Sequence, residues 1–161
     1  MIVPGRKIDA RFPLKIVEHG VLREVEFAAL LTRPTIVSVF MKLKTPSCDR
    51  QVEALRTQSA GLASAGCNVI ALSRDTARAQ QRYALAHASS VVFASDPEDR
   101  FARATDSLVE KTMYGRVFIG PARAAYLLGP DATVLAVTPR VDTTDHGAQL
   151  RALAAQVSRV S

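Results

Sequence analysis

Two short runs, Thr35-Ile-Val-Ser-Val-Phe40 and Asn68-Val-Ile-Ala-Leu-Ser73, constrain the fold of this chain more than any other feature. Both are apolar and β-branched without regular polar alternation, the pattern of a strand buried on both faces of a sheet. A helix start follows each of them. Thr45-Pro46 offers an N-cap and a proline at the first helical position, after which Val52, Leu55, Ser59 and Leu62 recur at helical spacing until Gly66. Asp75 or Thr76 caps a second helix in which Ala79, Tyr83 and Ala86 share a face. The result is a βαβα unit, which calls for a sheet with helices packed against it.

The rest of the chain extends that unit. A third strand is predicted over residues 91–94, running into Ser95-Asp96-Pro97, a cap with proline at the start of a short helix to about Ala104. Residues 124–128 and 134–137 are apolar runs separated by Gly129-Pro-Asp-Ala-Thr133, which predicts a β-hairpin. A last helix begins between Asp142 and Asp145, with Leu150, Leu153, Ala154 and Val157 forming the stripe that packs on a sheet. Near the N-terminus, Phe12, Leu14, Ile16, Val17, Val21 and Val25 fit an edge hairpin, followed by a helical turn around residues 27–31. This order is that of a thioredoxin-like α/β fold, a mixed central β-sheet with helices on both faces, in a single domain spanning residues 1–161.

Composition narrows the function classes. The 21 basic and 15 acidic residues leave a net charge of +6, but the arginines are scattered from Arg6 to Arg159, with no basic block and no aromatic interleaving. Nucleic-acid binding is therefore not expected. No apolar run approaches the length of a membrane span, and the first residues lack the order of a signal peptide, so a cytoplasmic protein without membrane attachment is expected. His19, His87 and His146 lie in different elements and the two cysteines form no C-x-x-C pair, so neither a metal site nor a dithiol motif is expected. Gly115 and Gly120 lack the Gly-Lys-Ser/Thr companion of a phosphate loop, and Tyr114-Gly115 marks a loop.

What remains is single-thiol chemistry. Cys48 follows a buried strand and falls in the first turn of the helix opened by Thr45-Pro46. Free backbone N–H groups and the helix dipole stabilise a thiolate there, and the thiolate is the reactive form. Lys42, Lys44, Arg50 and Arg56 add positive charge nearby in sequence. The competing reading is a cysteine that merely packs, since free cysteines are commonly buried.

These residues resemble a known family. Phe40-Met-Lys-Leu-Lys-Thr-Pro-Ser-Cys48 resembles the active-site loop of the peroxiredoxins, Pro-x-x-x-Thr-x-x-Cys after a hydrophobic strand. Asn68-Val-Ile-Ala-Leu-Ser-Arg-Asp75 is similar to the family's strand ending in Ser-x-Asp, and Glu110-Lys-Thr-Met-Tyr-Gly-Arg116 to a stretch of the bacterioferritin comigratory protein subfamily. Gly120-Pro-Ala-Arg-Ala-Ala-Tyr-Leu-Leu128 resembles the Arg-bearing strand that follows, and His146 stands where that subfamily often has a histidine. The resemblance implies a thiol peroxidase acting on hydrogen peroxide or alkyl hydroperoxides without a metal or organic cofactor. Carried over, it makes Cys48 the peroxidatic nucleophile that becomes a sulfenic acid, Thr45 a hydroxyl that orients peroxide and thiolate, and Arg123 the cation that stabilises the developing charge. It also suggests a monomer or weak homodimer.

The departures from the pattern matter as much. Met41 stands in place of the family proline, Glu53 where many of the subfamily carry the resolving cysteine, and Ala84 about where a related class places its own. Only Cys67 is left, at the start of the second strand, whereas Cys48 lies past the end of the first. In parallel neighbours these are opposite edges, separated by roughly 15–20 Å against a disulfide limit of ~7 Å between Cα atoms. Cys67 is thus expected to be a core residue. A one-cysteine mechanism follows, in which an external thiol such as thioredoxin, glutaredoxin or a low-molecular-weight thiol reduces the Cys48 sulfenate. A thiol-disulfide reductase is disfavoured because Cys48-Asp-Arg-Gln51 lacks a second thiol. The alternative from another class is a catalytically weakened redox sensor or binding module, motivated by Met41 and the missing resolver.

Overall fold

A computed structural model describes residues 1–87 and 89–157. The βαβα core comes out as read. β3 (Thr35–Val39) is buried at every position, and α1 (Pro46–Ser64) leads from it to β4 (Asn68–Ser73), from which α2 (Ala77–Ala86) leads to β5 (Val92–Ser95). β3, β4 and β5 lie side by side and parallel. Successive right-handed crossovers in one direction place α1 and α2 on the same face. That face carries Ile36, Phe40, Ala71 and Phe93 against Val52, Leu55, Leu62 and Tyr83.

Antiparallel strands flank the parallel centre. β1 (Pro13–Glu18) pairs with β5 and with the edge strand β2 (Val21–Glu26), and β8 (Ala125–Leu128) pairs with β3 and with the edge strand β9 (Val134–Thr138). The sheet runs β2-β1-β5-β4-β3-β8-β9. α4 (His146–Ala155) lays Leu150 and Leu153 beside α1 on the first face. The opposite face, with Val37, Val39, Ile70, Leu72 and Tyr126, is closed by Ile8, Ala10, a 3-10 turn (Phe27–Leu30) and α3 (Arg100–Ala104). Phe101 meets Tyr126 edge to face there and Phe27 at a tilt, with ring centroids 5.2 and 5.4 Å apart. The fold is the thioredoxin-like mixed sheet, covered on both faces.

Two local expectations need correcting, and one further element joins them. The third strand begins at Val92 rather than Val91, and Pro97 does not open its helix: Asp99 sits in the left-handed region and α3 starts at Arg100. Asp96 still caps it, from further away, by accepting the N–H groups of Arg100 (2.8 Å) and Phe101 (3.0 Å). Second, Arg123 is not on a strand; it lies in the link before β8. The further element is a separate two-stranded ribbon of residues 108–121, β6 (Leu108–Met113) and β7 (Arg116–Pro121). Tyr114 and Gly115, at φ 52° and 75°, make its two-residue turn, the geometry that matches the twist of a hairpin.

Candidate active site

The pairing of β3 with its neighbours decides what meets at its C-terminal end. Because β8 runs antiparallel to β3, with Ser38 opposite Ala125, the link carrying Arg123 arrives where the chain leaves β3 toward α1. Its backbone is clamped there: Val39 N–H donates to the Ala124 carbonyl (2.9 Å) and Val141 N–H to the Arg123 carbonyl (3.0 Å). The Arg123 guanidinium then reaches Cys48, with Nη2 donating to Sγ at 2.8 Å. Lys42 N–H points at the same sulfur from 3.5 Å. Cys48 itself is buried at the third residue of α1, 1% exposed.

The loop between β3 and α1 is shaped by a few bonds. Asp75 accepts the Leu43 N–H (3.0 Å) and the Ser73 hydroxyl (2.7 Å), which ties the loop to the end of β4. Thr76, not Asp75, caps α2 by accepting Ala79 N–H at 3.2 Å. Lys44 adopts φ 63° and gives its N–H to Asp49 (3.1 Å), a backbone conformation that costs a non-glycine residue about 1–2 kcal/mol and is held here by the surrounding bonds. Thr45 stands at the N-cap of α1, but its hydroxyl donates to the Lys42 carbonyl at 2.8 Å instead of capping the helix. Thr45 is therefore joined to Cys48 through Lys42 rather than by a direct hydrogen bond. With its proton spent on Lys42, the Thr45 oxygen keeps its lone pairs for an incoming O–H.

The charge around the thiol comes from other residues than the sequence neighbours suggested. Lys44 and Arg50 border a different hollow with Glu53 and Tyr83, and Arg56 pairs with Glu53 at 2.5 Å. The unforeseen group is Lys111, carried in by the β6-β7 ribbon. Its Nζ meets Met41 Sδ at 2.7 Å, and burial together with Arg123 and Arg74 pushes its pKa down, against Asp99 and Cys48, which raise it. Arg74, paired with Asp99, also donates to the Ile119 carbonyl (3.3 Å) and so holds the ribbon over the site. The Tyr114-Gly115 turn, with β-branched Val109, Thr112, Val117 and Ile119 on either side, is the sequence signal that points to this hairpin.

Beneath the thiol runs a buried polar chain. Gln51, one turn after Cys48, donates to Ser38 Oγ and the Val39 carbonyl, both at 2.9 Å. Ser38 meets His146 Nε2 at 2.9 Å, and His146 Nδ1 meets Gln149 Oε1 at 2.8 Å. Gln149 Oε1 also accepts Asp142 N–H and its Nε2 donates to the Arg140 carbonyl, so that oxygen can only accept. His146 Nδ1 therefore bears the proton and Nε2 accepts from Ser38. Burial pushes the His146 pKa below its ordinary 6.5, outweighing Gln149 and Asp142. α4 is thereby bonded through β3 to the first turns of α1.

Chemically, a sulfur at a helix N-terminus with a guanidinium against it can carry negative charge and pass it to a bound electrophile. Residues 8–157 match the AhpC/TSA family. This chain belongs to that family. It is a peroxiredoxin, a thiol peroxidase, similar to the bacterioferritin comigratory proteins. A Mycobacterium tuberculosis protein assigned to the peroxiredoxins is 28% identical over 150 residues, 93% of each chain. Peroxiredoxin Bcp of Xanthomonas campestris is 26% identical over 125 residues, 77% of this chain and 78% of that one. In fold, the peroxiredoxin resembles the solved bacterioferritin comigratory protein of Xanthomonas campestris, with a TM-score of 0.82 at 23% identity over 96% of this chain and 99% of the other. Among the described residues no helix is long and apolar enough to cross a membrane.

Proposed function

We propose that this peroxiredoxin reduces hydrogen peroxide or alkyl hydroperoxides at Cys48 by a one-cysteine mechanism, with recycling by an external thiol. The observation that carries the reading is the 2.8 Å contact from Arg123 Nη2 to Cys48 Sγ at the N-terminus of α1. The Cys48 thiolate attacks the hydrogen-bearing oxygen of ROOH, the O–O bond breaks, Cys48 becomes a sulfenic acid, and the departing alkoxide takes a proton to give alcohol or water. Arg123 and Lys42 N–H stabilise the charge on sulfur before the attack and on oxygen as it develops, and do so without reorganisation because the backbone already holds them. Thr45, bonded to Lys42, orients the peroxide by accepting its O–H.

Support for external recycling comes from the parallel pairing of β3 and β4. Thr35 lies opposite Asn68 and Val39 opposite Leu72, so Cys67 precedes one end of the strand pair while Cys48 follows the other. Stoichiometric peroxide with a sulfenate-trapping reagent, followed by peptide mass analysis, tests the reading. A rapid adduct on Cys48, none on Cys67, and return of the free thiol with thioredoxin, glutaredoxin or a small thiol are expected. Either an unreactive Cys48 or a Cys48–Cys67 disulfide would sink it.

A further inference from the structure

Met41 occupies the place of the family proline, and its thioether lies among the polar groups around Cys48. The Lys111 ammonium donates to Sδ at 2.7 Å, and the N–H of the next residue, Lys42, points at Cys48 Sγ. Met41 is half-buried and packs against the hydrophobic clusters of both sheet faces, at the edge where the Cys48 loop departs. Among the described residues no carboxylate lies within ion-pairing distance of Lys111, whose acceptor is this sulfur. A thioether is a weak acceptor and returns little to a partly desolvated ammonium. A sulfoxide oxygen in the same place would be a strong one.

We propose that Met41 is an oxidation site of this enzyme: peroxide reaching the Cys48 loop while Cys48 is held as sulfenic acid converts the Met41 thioether to the sulfoxide, with Lys111 as proton donor and as the group that binds the new oxygen. The inference rests on the reading of Cys48 as the peroxide-reducing thiol. The Met41 sulfur lone pair forms a bond to the hydrogen-bearing oxygen of ROOH, the O–O bond breaks, and the electron pair leaves on the alkoxide. Lys111 protonates the alkoxide, and the hydroxysulfonium returns a proton to the Lys111 amine. The products are methionine sulfoxide and alcohol or water; sulfur loses two electrons, peroxide gains them, and nothing else is consumed. Burial, Arg123 and Arg74 make the Lys111 proton easier to surrender, opposed by Asp99 and Cys48.

Glu53 and Ala84 in place of resolving cysteines give this reaction its time, because the Cys48 sulfenic acid must wait for an external thiol. Methionine sulfoxide is reduced by dedicated reductases, so the change is reversible. It also replaces a flexible apolar side chain by a polar one beside the Cys48 loop and engages the Lys111 charge.

The test is a time course of the intact protein in excess peroxide without reductant, with the sulfenate trap in a parallel sample, read by peptide mass. Met1, 40% exposed, is the internal reference for oxidation governed by exposure alone. Met41 is expected to gain oxygen about tenfold faster than Met1, the factor one added transition-state contact supplies, and Lys111→Met to bring it down toward Met1. Cys48 trapped while Met41 oxidises no faster than Met1 overturns this inference alone. An untrapped Cys48 overturns the reading of Cys48 as the peroxide-reducing thiol, and this inference with it.

Discussion

Arg123 Nη2 lies 2.8 Å from Cys48 Sγ across 75 residues of sequence, although neither residue stands on a strand of the sheet that aligns them. Each is on a segment leaving the same end of the β3-β8 pair, so the contact is fixed by backbone register more than by side-chain reach. Arg123→Ala is accordingly expected to slow peroxide reduction by ~10²–10³-fold, the scale for losing one preorganised donor. Arg123→Lys should recover only part, because a point charge on a flexible stem replaces a planar fork. Cys48→Ser should abolish consumption. Stopped-flow rates decide, and an Arg123→Ala enzyme as fast as the parent would remove Arg123 from the mechanism.

Asp75 gives a second prediction. Its carboxylate accepts one bond from the loop between β3 and α1, at Leu43, and one from Ser73 at the end of β4. Asp75→Ala leaves the partly buried Leu43 N–H unpaired, at a cost of about 1–3 kcal/mol, and frees the loop that presents Lys42 N–H to the sulfur. Stability in urea and the peroxide rate should fall together. Asp75→Asn keeps an acceptor oxygen for Leu43 and should recover much of both; if it behaves like Asp75→Ala, the role given to the Leu43 bond is wrong.

The parts of this architecture visible in sequence are those with one dominant physical demand. Thr35–Val39 and residues 69–73 are buried at every position, so each had to be small or apolar, and the runs stand out. The ribbon answers to no core: Val117 and Ile119 are exposed, while Lys111 turns toward the site. Without a buried face its period of two carries little hydrophobic contrast, and Lys111 was invisible as a site residue. Cys48 was readable from its local setting, but Arg123 needed the family resemblance, since nothing local distinguishes it from other arginines. The sequence leaves Asp75 and Thr76 as alternative helix caps; Thr76 takes that place, and the partner of Asp75, Leu43, lies on a loop that only the register of β3 and β4 brings near.

His146 provides a pH dependence whose sign follows from its burial. The unfolded chain takes up the proton near 6.5, while the folded state resists it, so the unfolded state binds more protons below that pH. The stability gained by holding His146 neutral is complete above about pH 6.5 and is lost as pH falls through the lower folded value, at up to about 1.4 kcal/mol per pH unit. The groups facing the ring are Ser38 and Gln149, with Asp142 as the nearby charge that opposes the shift. His146→Gln removes the titration. Urea midpoints from pH 7.5 down to 5 should drop more steeply for the parent than for this variant, and parallel slopes would show that His146 is not the titrating group.

Cys67 separates the one-cysteine mechanism from a two-cysteine one. It is 1% exposed, its N–H donates to the Leu62 carbonyl (2.9 Å), and its carbonyl accepts from Arg33 (3.2 Å). Burial pushes its thiol pKa up, against the opposing charge of Arg33, so the thiolate is disfavoured as well as inaccessible. Cys48 is equally buried, so both thiols are reached through local opening and the thiolate decides the order: with Arg123 Nη2 against its sulfur, Cys48 should be alkylated before Cys67. Cys67→Ala should keep peroxide turnover with an external thiol while losing about 1 kcal/mol of stability, the usual size of a small core truncation. A Cys67→Ala protein that forms the sulfenic acid normally yet fails to turn over would make Cys67 the resolving thiol, and would require the strand pair to open during each cycle.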